Sequence, residues 1–235
     1  MDGGGADRTL SGDRVLALVP ARDEAPRISA VVDGAGLHLA VVVVDDGSED
    51  GTSDVARAAG AEVLRHPASR GKGEALRTGF RAALTGGADA VVTLDGDGQH
   101  DPAEIPAFLA AWRASGADLV VGARDFRSMP PSRRLANTLG RRVLRWAAGA
   151  DIPDNQSGYR LVSRRLMEAM IEAGTEPGFG FEVEEIAVCL ERGWRIEWVP
   201  IRTIYSEEES HIRAATHVAR FLRLARRIRR ARSRG

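Results

Sequence analysis

The chain has 235 residues, of which 43% are apolar and 28% are charged, a balance typical of a soluble globular protein rather than a disordered or fibrous one. Its only cysteine, Cys189, excludes an internal disulfide and a cysteine-based metal site, so a reducing cytoplasm is the expected compartment. No stretch approaches the roughly 20 consecutive apolar residues that cross a bilayer. Residues 1–13 are expected to be a flexible leader, and they lack the apolar centre of a signal peptide.

Short valine-rich runs, each followed by a stretch with helical periodicity, occupy the first half of the chain. Each run is too short for a buried helix. The alternation predicts an α/β fold with a mostly parallel central sheet and helices on both faces. The predicted strands are residues 14–20, 40–46, 61–66, 88–95 and 117–124.

Beyond about Met129 the alternation changes to a longer helical stretch at residues 132–149, followed by a polar turn. Later elements are also predicted, namely strands at residues 159–163 and 194–201 and helices at residues 164–171 and 182–192. Because no linker divides the chain, we expect a single domain over residues 14–215. Its two halves would be residues 14–125 and residues 126–215.

Two carboxylates follow the fourth predicted strand in the sequence VVTLDGDGQH. In an extended strand residues two apart point to the same side, so Asp95 and Asp97 can converge on one ion where the strand leaves the sheet. Gly96 and Gly98 let the backbone approach a phosphate. Hard oxygen ligands without His or Cys partners suit Mg²⁺ or Mn²⁺ that completes its shell with substrate phosphates. The alternative is a simple polar turn, because Asp and Gly are common turn residues.

Two further predicted strands also end in acids. The run VVVVDDGSEDGT contains Asp45 and Asp46, one of which could accept hydrogen bonds from a base or a ribose hydroxyl, while the polar residues after them would cap the next helix. The first strand is followed by Asp23 and Glu24. Three acidic strand ends at one edge of a sheet repel one another unless cations or ligand donors lie between them. This clustering predicts a ligand site at that edge.

Lys72 is the only lysine in the chain, and it lies in the glycine-rich turn SRGKGEAL at the start of a predicted helix. The turn is similar to a phosphate-binding loop. Its spacing is not that of a P-loop, so the motif is a weak signal by itself.

Five motifs follow one another along the chain: VVVVDDGSEDGT, RGKGEALRTGF, VVTLDGDGQHDP, SGYR at residues 157–160, and YSEEESHIR. Together they resemble the inverting family 2 glycosyltransferases with a GT-A fold, and within that family the dolichyl-phosphate mannose synthase and polyprenyl-phosphate glycosyltransferase group. The resemblance covers nearly the whole chain, from Val15 to about Arg223. It departs from the family pattern at Asp23, where relatives usually have Asn before the Glu of the first motif.

The resemblance implies metal-dependent transfer of a hexose, mannose or glucose, from a nucleotide-diphosphate sugar of the GDP-mannose or UDP-glucose class to a polyprenyl or dolichyl phosphate. Residues 14–125 would then be the nucleotide-sugar-binding half of the domain and residues 126–215 the acceptor-binding half. By the same resemblance, the donor would be bound by Pro20, Ala21, Arg22, Glu24, Asp46, Lys72, Asp95, Gly96, Asp97 and Arg213. The Mg²⁺ or Mn²⁺ ion would be held by Asp95, Asp97 and Gln99. Catalysis would depend on Asp97, Gln99, Arg124 and Arg134. The acceptor phosphate would be bound by Arg124, Arg134, Ser157 and Arg160.

The chemistry of the acceptor separates this prediction from its alternatives. A phosphate acceptor is already an anion, so its attack needs little help from a base, and arginines would instead hold the two phosphates together. Transfer to a soluble or protein-bound hydroxyl would need a base. Glu182, Glu184 and Glu185 are candidates, unless they only decorate the solvated face of a helix. A third alternative is a non-catalytic nucleotide-sugar-binding module at a membrane surface.

The C-terminal segment combines apolar residues at helical spacing with many arginines. Residues 220–235 contain eight arginines and no acid. Residues 216–235 are therefore predicted to form a basic amphipathic helix that binds an anionic membrane surface and keeps the protein peripheral at the cytoplasmic membrane face. The alternative is that the apolar stripe packs on the domain. Nucleic acid is not an expected partner, because the arginine-rich run offers no series of aromatic residues for base stacking.

Overall fold

The computed structural model describes residues 12–124, 145–147, 149, 152–173, 180–202, 226 and 229. Its strands are β1 (Val15–Ala21), β2 (Ala40–Asp45), β3 (Glu62–Arg65), β4 (Ala90–Thr93), β5 (Leu119–Arg124), β6 (Arg160–Ser163) and β7 (Ile196–Ile201). They form one sheet in the order β3-β2-β1-β4-β6-β5-β7. The strands predicted from the sequence contain every residue of these seven observed strands except Ala21.

Parallel pairing dominates the sheet, as predicted. β1 pairs in parallel with β2 and β4, β2 with β3, and β5 with β7. Only β6 runs antiparallel to its neighbours, β4 and β5, among the described strands. Strands β1, β2 and β4 are apolar over most of their length because both sides are covered. The side chains of Val43 and Val44, which point to opposite faces, are both fully buried.

Helices cover both faces of the sheet, which confirms the predicted α/β arrangement. The described helices are α1 (Ile28–Gly36), α2 (Thr52–Ala58), α3 (Lys72–Thr85), α4 (Ile105–Ser115), α5 (Arg164–Ala173) and α6 (Phe181–Arg192), with a short 3-10 turn at Pro102–Glu104. Alternate strand residues face opposite cores. Leu18 and Val42 belong to the core formed with α3, α5 and α6, whereas Ala17 and Val43 belong to the core formed with α1, α2 and α4.

The strand order determines which segments meet at the carboxyl edge of the sheet. Because β1, β2, β4 and β5 run in the same direction, their last residues lie along one edge, and antiparallel β6 begins at that edge with Arg160. The segments after Ala21, Asp45, Thr93 and Arg124 therefore converge with the segment that precedes β6. In open parallel sheets this is the edge at which ligands bind.

Two predicted segments lie largely outside the described residues. The long helical stretch is described only at residues 145–147 and 149, and the C-terminal helix only at Arg226 and Arg229. The domain boundaries and the C-terminal helix stay predictions. In the described part of the chain, no helix combines the length and the apolar character that crossing a bilayer requires.

Candidate active site

The loop after β1 is held against the loop after β2 by hydrogen bonds from backbone N–H groups. The N–H of Asp23 donates to Ser48 Oγ at 2.9 Å, and the N–H of Glu24 donates to Thr52 Oγ1 at 2.8 Å. The N-cap of α2 is Gly51, and no side chain caps it. Of the polar residues expected to cap α2, Ser48 and Thr52 tie the two loops together, whereas Asp50 accepts the N–H of Thr52, the first residue of α2, at 3.0 Å.

The family departure at Asp23 has a structural explanation. Asp23 has a positive φ of 56°, a left-handed conformation that Asn and Asp adopt more readily than other side-chain-bearing residues. Its carboxylate accepts a hydrogen bond from the N–H of Glu49 at 2.9 Å, which the amide oxygen of Asn could also accept. Asp in place of Asn thus preserves the shape of the loop that carries Glu24.

Asp46 organises the loop that leads into α3. It accepts hydrogen bonds from Ser69 Oγ and from the N–H groups of Arg70 and Gly71, each at 2.8 Å, and His66 Nδ1 lies 2.7 Å away. Burial by itself would raise the pKa of Asp46, but these hydrogen bonds lower it overall. Sequence reasoning missed this organising role, and contact of Asp46 with the nucleotide stays a prediction.

Lys72, the first residue of α3, bridges two carboxylates. Its Nζ lies 2.6 Å from Asp95 Oδ1 and 2.8 Å from Glu182 Oε1. Burial would lower the pKa of Lys72, but the two carboxylates raise it above its usual value. Burial would likewise raise the pKa of Asp95, yet Lys72 holds that pKa down at about 2. Lys72 is therefore one of the cations that the clustered acids require.

The turn after β4 carries Asp97 and Gln99 next to Asp95. Asp97 accepts hydrogen bonds from the backbone N–H of Gln99 at 3.0 Å and from its side-chain amide at 2.9 Å. His100 Nδ1 lies 3.1 Å from the backbone N of Asp95 and accepts its N–H. Burial lowers the pKa of His100 to about 4, so its ring is neutral at neutral pH. These bonds hold both acids on one short turn.

Gly158 leaves room for the pair formed by Lys72 and Asp95. A Cβ on Gly158 would lie 2.7 and 2.8 Å from the two carboxylate oxygens of Asp95 and 3.0 Å from Lys72 Nζ. The carbonyl of Gly158 accepts a hydrogen bond from Thr93 Oγ1 at 2.8 Å, which holds the backbone in place. The glycine of the SGYR motif is thus needed for close packing against the acidic turn.

The side chains of this turn fit a divalent metal. Asp95, Asp97 and Gln99 offer hard oxygen donors on one short turn, which is the donor type that Mg²⁺ and Mn²⁺ prefer. Within the described ranges, no group of three or more His, Cys, Asp or Glu side chains is arranged to hold an ion. An ion on this turn would therefore complete its shell with substrate phosphates and water. The three residues stay the predicted ligands.

Arg124, the last residue of β5, is fixed by Asp154. Its Nε and Nη2 donate to the two carboxylate oxygens at 2.6 and 3.0 Å, and the side chain of Asp154 is almost fully buried. Asp154 also accepts hydrogen bonds from the N–H groups of Gln156 and Ser157 at 3.0 and 3.2 Å. A bidentate pair of this kind sets the orientation of the guanidinium. Sequence reasoning missed Asp154, whose only signal was the polar turn before β6.

Arg160 lies in the interior. Its side chain is 1% exposed, and its Nη1 lies 2.9 Å from Glu185 Oε2. Its other hydrogen bonds go to the carbonyl oxygens of Glu182, Ser157 and Asn155 at 2.6, 2.7 and 3.3 Å. The guanidinium therefore joins the loop before β6 to α6, and it is not placed to bind the acceptor phosphate as the motif predicted.

The three glutamates considered as a base do not decorate a solvated face. Glu182, Glu184 and Glu185 are only 4%, 1% and 1% exposed, because the helix that carries them, α6, packs against the sheet. Burial raises the pKa of Glu185 to about 7. Ser157 Oγ and Glu182 Oε2 are buried and have no hydrogen-bond partner in the described part of the protein. Water or a ligand would satisfy these two atoms.

The other predicted residues are placed as follows. Pro20 is buried near the end of β1, and Gly96 packs so closely that its Cβ would lie 3.1 Å from the Cβ of Ala21. Arg22 is exposed, and its Nη1 donates to Ser69 Oγ at 3.1 Å. Two predicted residues lie outside the described ranges, Arg134 and Arg213.

Two buried groups have opposite pKa shifts that affect stability. The pKa of Glu185 is raised from 4.5 to about 7, so its contribution to stability is present below pH 4.5 and is lost as the pH rises towards 7. The pKa of His100 is lowered from 6.5 to about 4, so its contribution is present above pH 6.5 and is lost as the pH falls towards 4. The two contributions therefore oppose each other in mildly acidic solution.

We expect the Glu185→Gln variant to reveal the contribution of Glu185 to the pH dependence of stability. The free energy of unfolding of the variant minus that of the wild type should be about 2 kcal/mol larger at about pH 7 than at about pH 5. The reason is that the amide removes a carboxyl group that must ionise in the interior as the pH rises. Urea unfolding at the two pH values is the measurement. Glu172→Gln, on the exposed side of α5, is the control and should show no such difference. A pH-independent effect of Glu185→Gln would contradict ionisation of Glu185 in the folded protein.

The fold is an α/β sheet whose carboxyl edge is lined by acids, and a comparison with known families identifies the class of protein. Residues 17–170 match the family described as glycosyl transferase family 2. The chain belongs to this family and is a glycosyltransferase, which confirms the resemblance drawn from the motifs.

Solved structures confirm the GT-A fold. A glucosyl-3-phosphoglycerate synthase from Mycobacterium tuberculosis in complex with phosphoglyceric acid has a TM-score of 0.72 at 23% identity, and the match covers 94% of this chain and 80% of that one. The same enzyme with Mn²⁺, UDP and phosphoglyceric acid has a TM-score of 0.72 at 22% identity, covering 92% and 79%. At these identities the similarity establishes the fold alone.

Several relatives are similar over most of the chain. An undecaprenyl-phosphate mannosyltransferase from Micrococcus luteus is 33% identical over 208 residues, which cover 83% of this chain and 85% of that protein. A polyprenol monophosphomannose synthase from Mycolicibacterium smegmatis is 30% identical over 203 residues, covering 80% and 76%. An uncharacterised protein from Methanocaldococcus jannaschii is 31% identical over 205 residues, covering 84% of each chain.

Proposed function

We propose that this glycosyltransferase moves a hexose, mannose or glucose, from a nucleotide-diphosphate sugar to a polyprenyl phosphate with inversion, and that it requires Mg²⁺ or Mn²⁺. The observation that carries the proposal is 33% identity, over 83% of the chain, to a protein named for mannosyl transfer to undecaprenyl phosphate. The acidic turn and the fixed arginine at one edge of the sheet support it. GDP-mannose and UDP-glucose represent the expected class of donor.

The metal, held by Asp95, Asp97 and Gln99, would neutralise charge that develops on the leaving diphosphate. The residues of the first loop and Asp46 would line the pocket for the base and ribose. Lys72 and Arg124 would bring positive charge to the phosphates of donor and acceptor. The same role is proposed for two arginines outside the described ranges, Arg134 and Arg213.

The transfer itself needs positioning more than proton transfer. An oxygen of the acceptor phosphate would attack the anomeric carbon while the bond from that carbon to the diphosphate breaks, and the nucleoside diphosphate would leave with the bonding electrons. Because the acceptor oxygen is already ionised, no base is needed. Two anions must nevertheless be brought together, and the guanidinium of Arg124, oriented by Asp154, supplies a fixed cation for that purpose.

We also propose that the C-terminal arginines bring the enzyme to an anionic membrane surface at the cytoplasmic face. Arg229 lies over the ring of Trp146, with its Cζ 3.9 Å from the ring centroid. Trp146 is 57% exposed. Tryptophan and arginine side chains at a surface suit the headgroup region of a bilayer, which is where a polyprenyl phosphate presents its phosphate.

A transfer assay with defined donors tests the proposal. Purified protein is given Mg²⁺ or Mn²⁺, a polyprenyl phosphate and, in turn, radiolabelled GDP-mannose, UDP-glucose or UDP-N-acetylglucosamine. Label from GDP-mannose or UDP-glucose should enter the organic phase, and a chelator should stop the transfer. Label that remains in aqueous products while donor is consumed would contradict the lipid acceptor. That result would favour a hydroxyl acceptor, with Glu182 as the first candidate for the base.

A further inference from the structure

Both acids of the turn after β4 are already engaged by other side chains. Lys72 Nζ lies 2.6 Å from Asp95 Oδ1, and Asp97 accepts two hydrogen bonds from Gln99. A metal that binds Asp95 must therefore displace the Lys72 ammonium or share the carboxylate with it. Sharing is unfavourable, because the two side chains are only 21% and 28% exposed and water screens the repulsion between the cations poorly.

Glu182 offers the displaced ammonium a second partner. Its Oε1 lies 2.8 Å from Lys72 Nζ, and its side chain is 5% exposed. Its Oε2 is buried and lacks a hydrogen-bond partner among the residues that the structure describes. Lys72 can therefore leave Asp95 and stay close to a carboxylate, and Glu182 never becomes a buried charge without a cation.

Arg124 is a weaker counter-charge for Asp95 than Lys72 is. Its Nε and Nη2 are bound to Asp154 at 2.6 and 3.0 Å, so its charge is balanced by a different acid. A Cβ on Gly158 would lie within 3.0 Å of both Lys72 Nζ and the Asp95 oxygens, so the glycine leaves the space that this ion pair occupies. The position of Lys72 therefore determines how strongly the Asp95 carboxylate can bind a metal ion.

We propose that Lys72 is an internal counter-ion that competes with the divalent metal for Asp95, and that Glu182 receives Lys72 when the metal binds. The metal would then bind weakly by itself and tightly together with a nucleoside diphosphate, which adds anionic ligands for the ion. Metal and diphosphate would strengthen each other's binding by the same factor. The inference rests on the proposed metal role of the turn.

Mn²⁺ binding measured by electron paramagnetic resonance tests the inference without any turnover. The full-length wild type, Lys72→Met and Glu182→Gln are titrated with Mn²⁺ alone and with Mn²⁺ plus UDP or GDP. Without nucleotide, Lys72→Met should bind Mn²⁺ about tenfold more tightly than the wild type, because the competing ammonium is absent. Adding nucleotide should then increase the Mn²⁺ affinity of Lys72→Met by a smaller factor than that of the wild type. Glu182→Gln should weaken Mn²⁺ binding severalfold, because Lys72 keeps Asp95 as its only carboxylate.

Arg70→Met is the matched control, since it removes a nearby cation that pairs with Glu74 at 3.1 Å and not with Asp95. It should leave the Mn²⁺ affinity within about twofold of the wild type, as expected for an exposed pair. If Lys72→Met fails to fold, the opposite shift in the isosteric Glu182→Gln variant decides the question.

Equal Mn²⁺ affinities for the wild type and Lys72→Met, with the same gain on adding nucleotide, would overturn the counter-ion role. Absence of Mn²⁺ binding by the wild type and all variants, even with nucleotide, would overturn the metal role of the turn as well. The predicted Mn²⁺ shifts in a protein that transfers no sugar to polyprenyl phosphate would support the counter-ion and refute only the proposed acceptor.

Discussion

The Asp97→Asn variant is expected to lose sugar transfer by about a thousandfold or more while keeping the unfolding midpoint of the wild type. The change removes one negative charge from the proposed metal turn without altering the size of the side chain. Asp97 accepts hydrogen bonds from Gln99 on the same turn, and the amide oxygen of Asn can still accept one of them. The rate of label transfer to the organic phase and urea unfolding are the two measurements.

Asp101→Asn provides the control for this experiment. Asp101 is the next acid along the chain, and it accepts a hydrogen bond from the N–H of Ala103 at 3.0 Å at the start of the 3-10 turn. Asn caps such a turn about as well as Asp, so transfer should stay within about twofold of the wild-type rate. A wild-type rate in Asp97→Asn would show that the acidic turn does not hold the metal.

The Gly158→Ala variant is expected to lower kcat by about a hundredfold, although it adds a single methyl group. Its Cβ would lie 2.7 and 2.8 Å from the oxygens of Asp95 and 3.0 Å from Lys72 Nζ, so the pair must separate or the turn must move. The hydrogen bond that Thr93 Oγ1 donates to the carbonyl of Gly158 restrains the backbone from moving away from Asp95. Displacement of a reacting group by about 1 Å can cost about a hundredfold in rate. Steady-state kinetics at saturating donor measure the loss.

Gly36→Ala is the matched glycine control. Gly36 lies in α1, and a Cβ there would meet no atom within 4 Å. The variant should keep the wild-type kcat and gain up to about 1 kcal/mol of stability, because alanine is the better helix former. If Gly158→Ala also kept the wild-type kcat, the position of the Asp95 carboxylate beside Gly158 would not matter for transfer.

Strand and helix positions were predictable from the sequence because they depend on local signals. The run Val41–Val44 predicts a strand that is covered on both faces, and the helical periodicity after it predicts a covering helix. Asp45, Asp95 and Asp97 follow such runs directly, so parallel pairing alone brings their segments to one edge. The candidate edge could therefore be located before any contact between distant residues was known.

Burial of the charged residues was not predictable in the same way. Arg160 was interpreted as a phosphate ligand from its motif, but it lies in the interior at 2.9 Å from Glu185. The glutamates of α6 have the composition of a solvated face, yet they are buried. A motif specifies residue types and spacing, whereas burial depends on which elements pack over them. The antiparallel insertion of β6 between β4 and β5 is another such case, since no local signal gives the direction of a strand.

The sequence by itself determined the α/β layers, the order of the strands along the chain and the acids at their carboxyl ends, because hydrophobic periodicity and turn chemistry act over a few neighbouring residues. Only the tertiary structure decided which charges pair. Lys72, Asp95 and Glu182 belong to three separate segments, and their packing at one edge brings the ammonium within 2.6 and 2.8 Å of the two carboxylates. That pairing is selected by the cost of burying an unpaired charge, and this cost arises only where distant segments exclude water together.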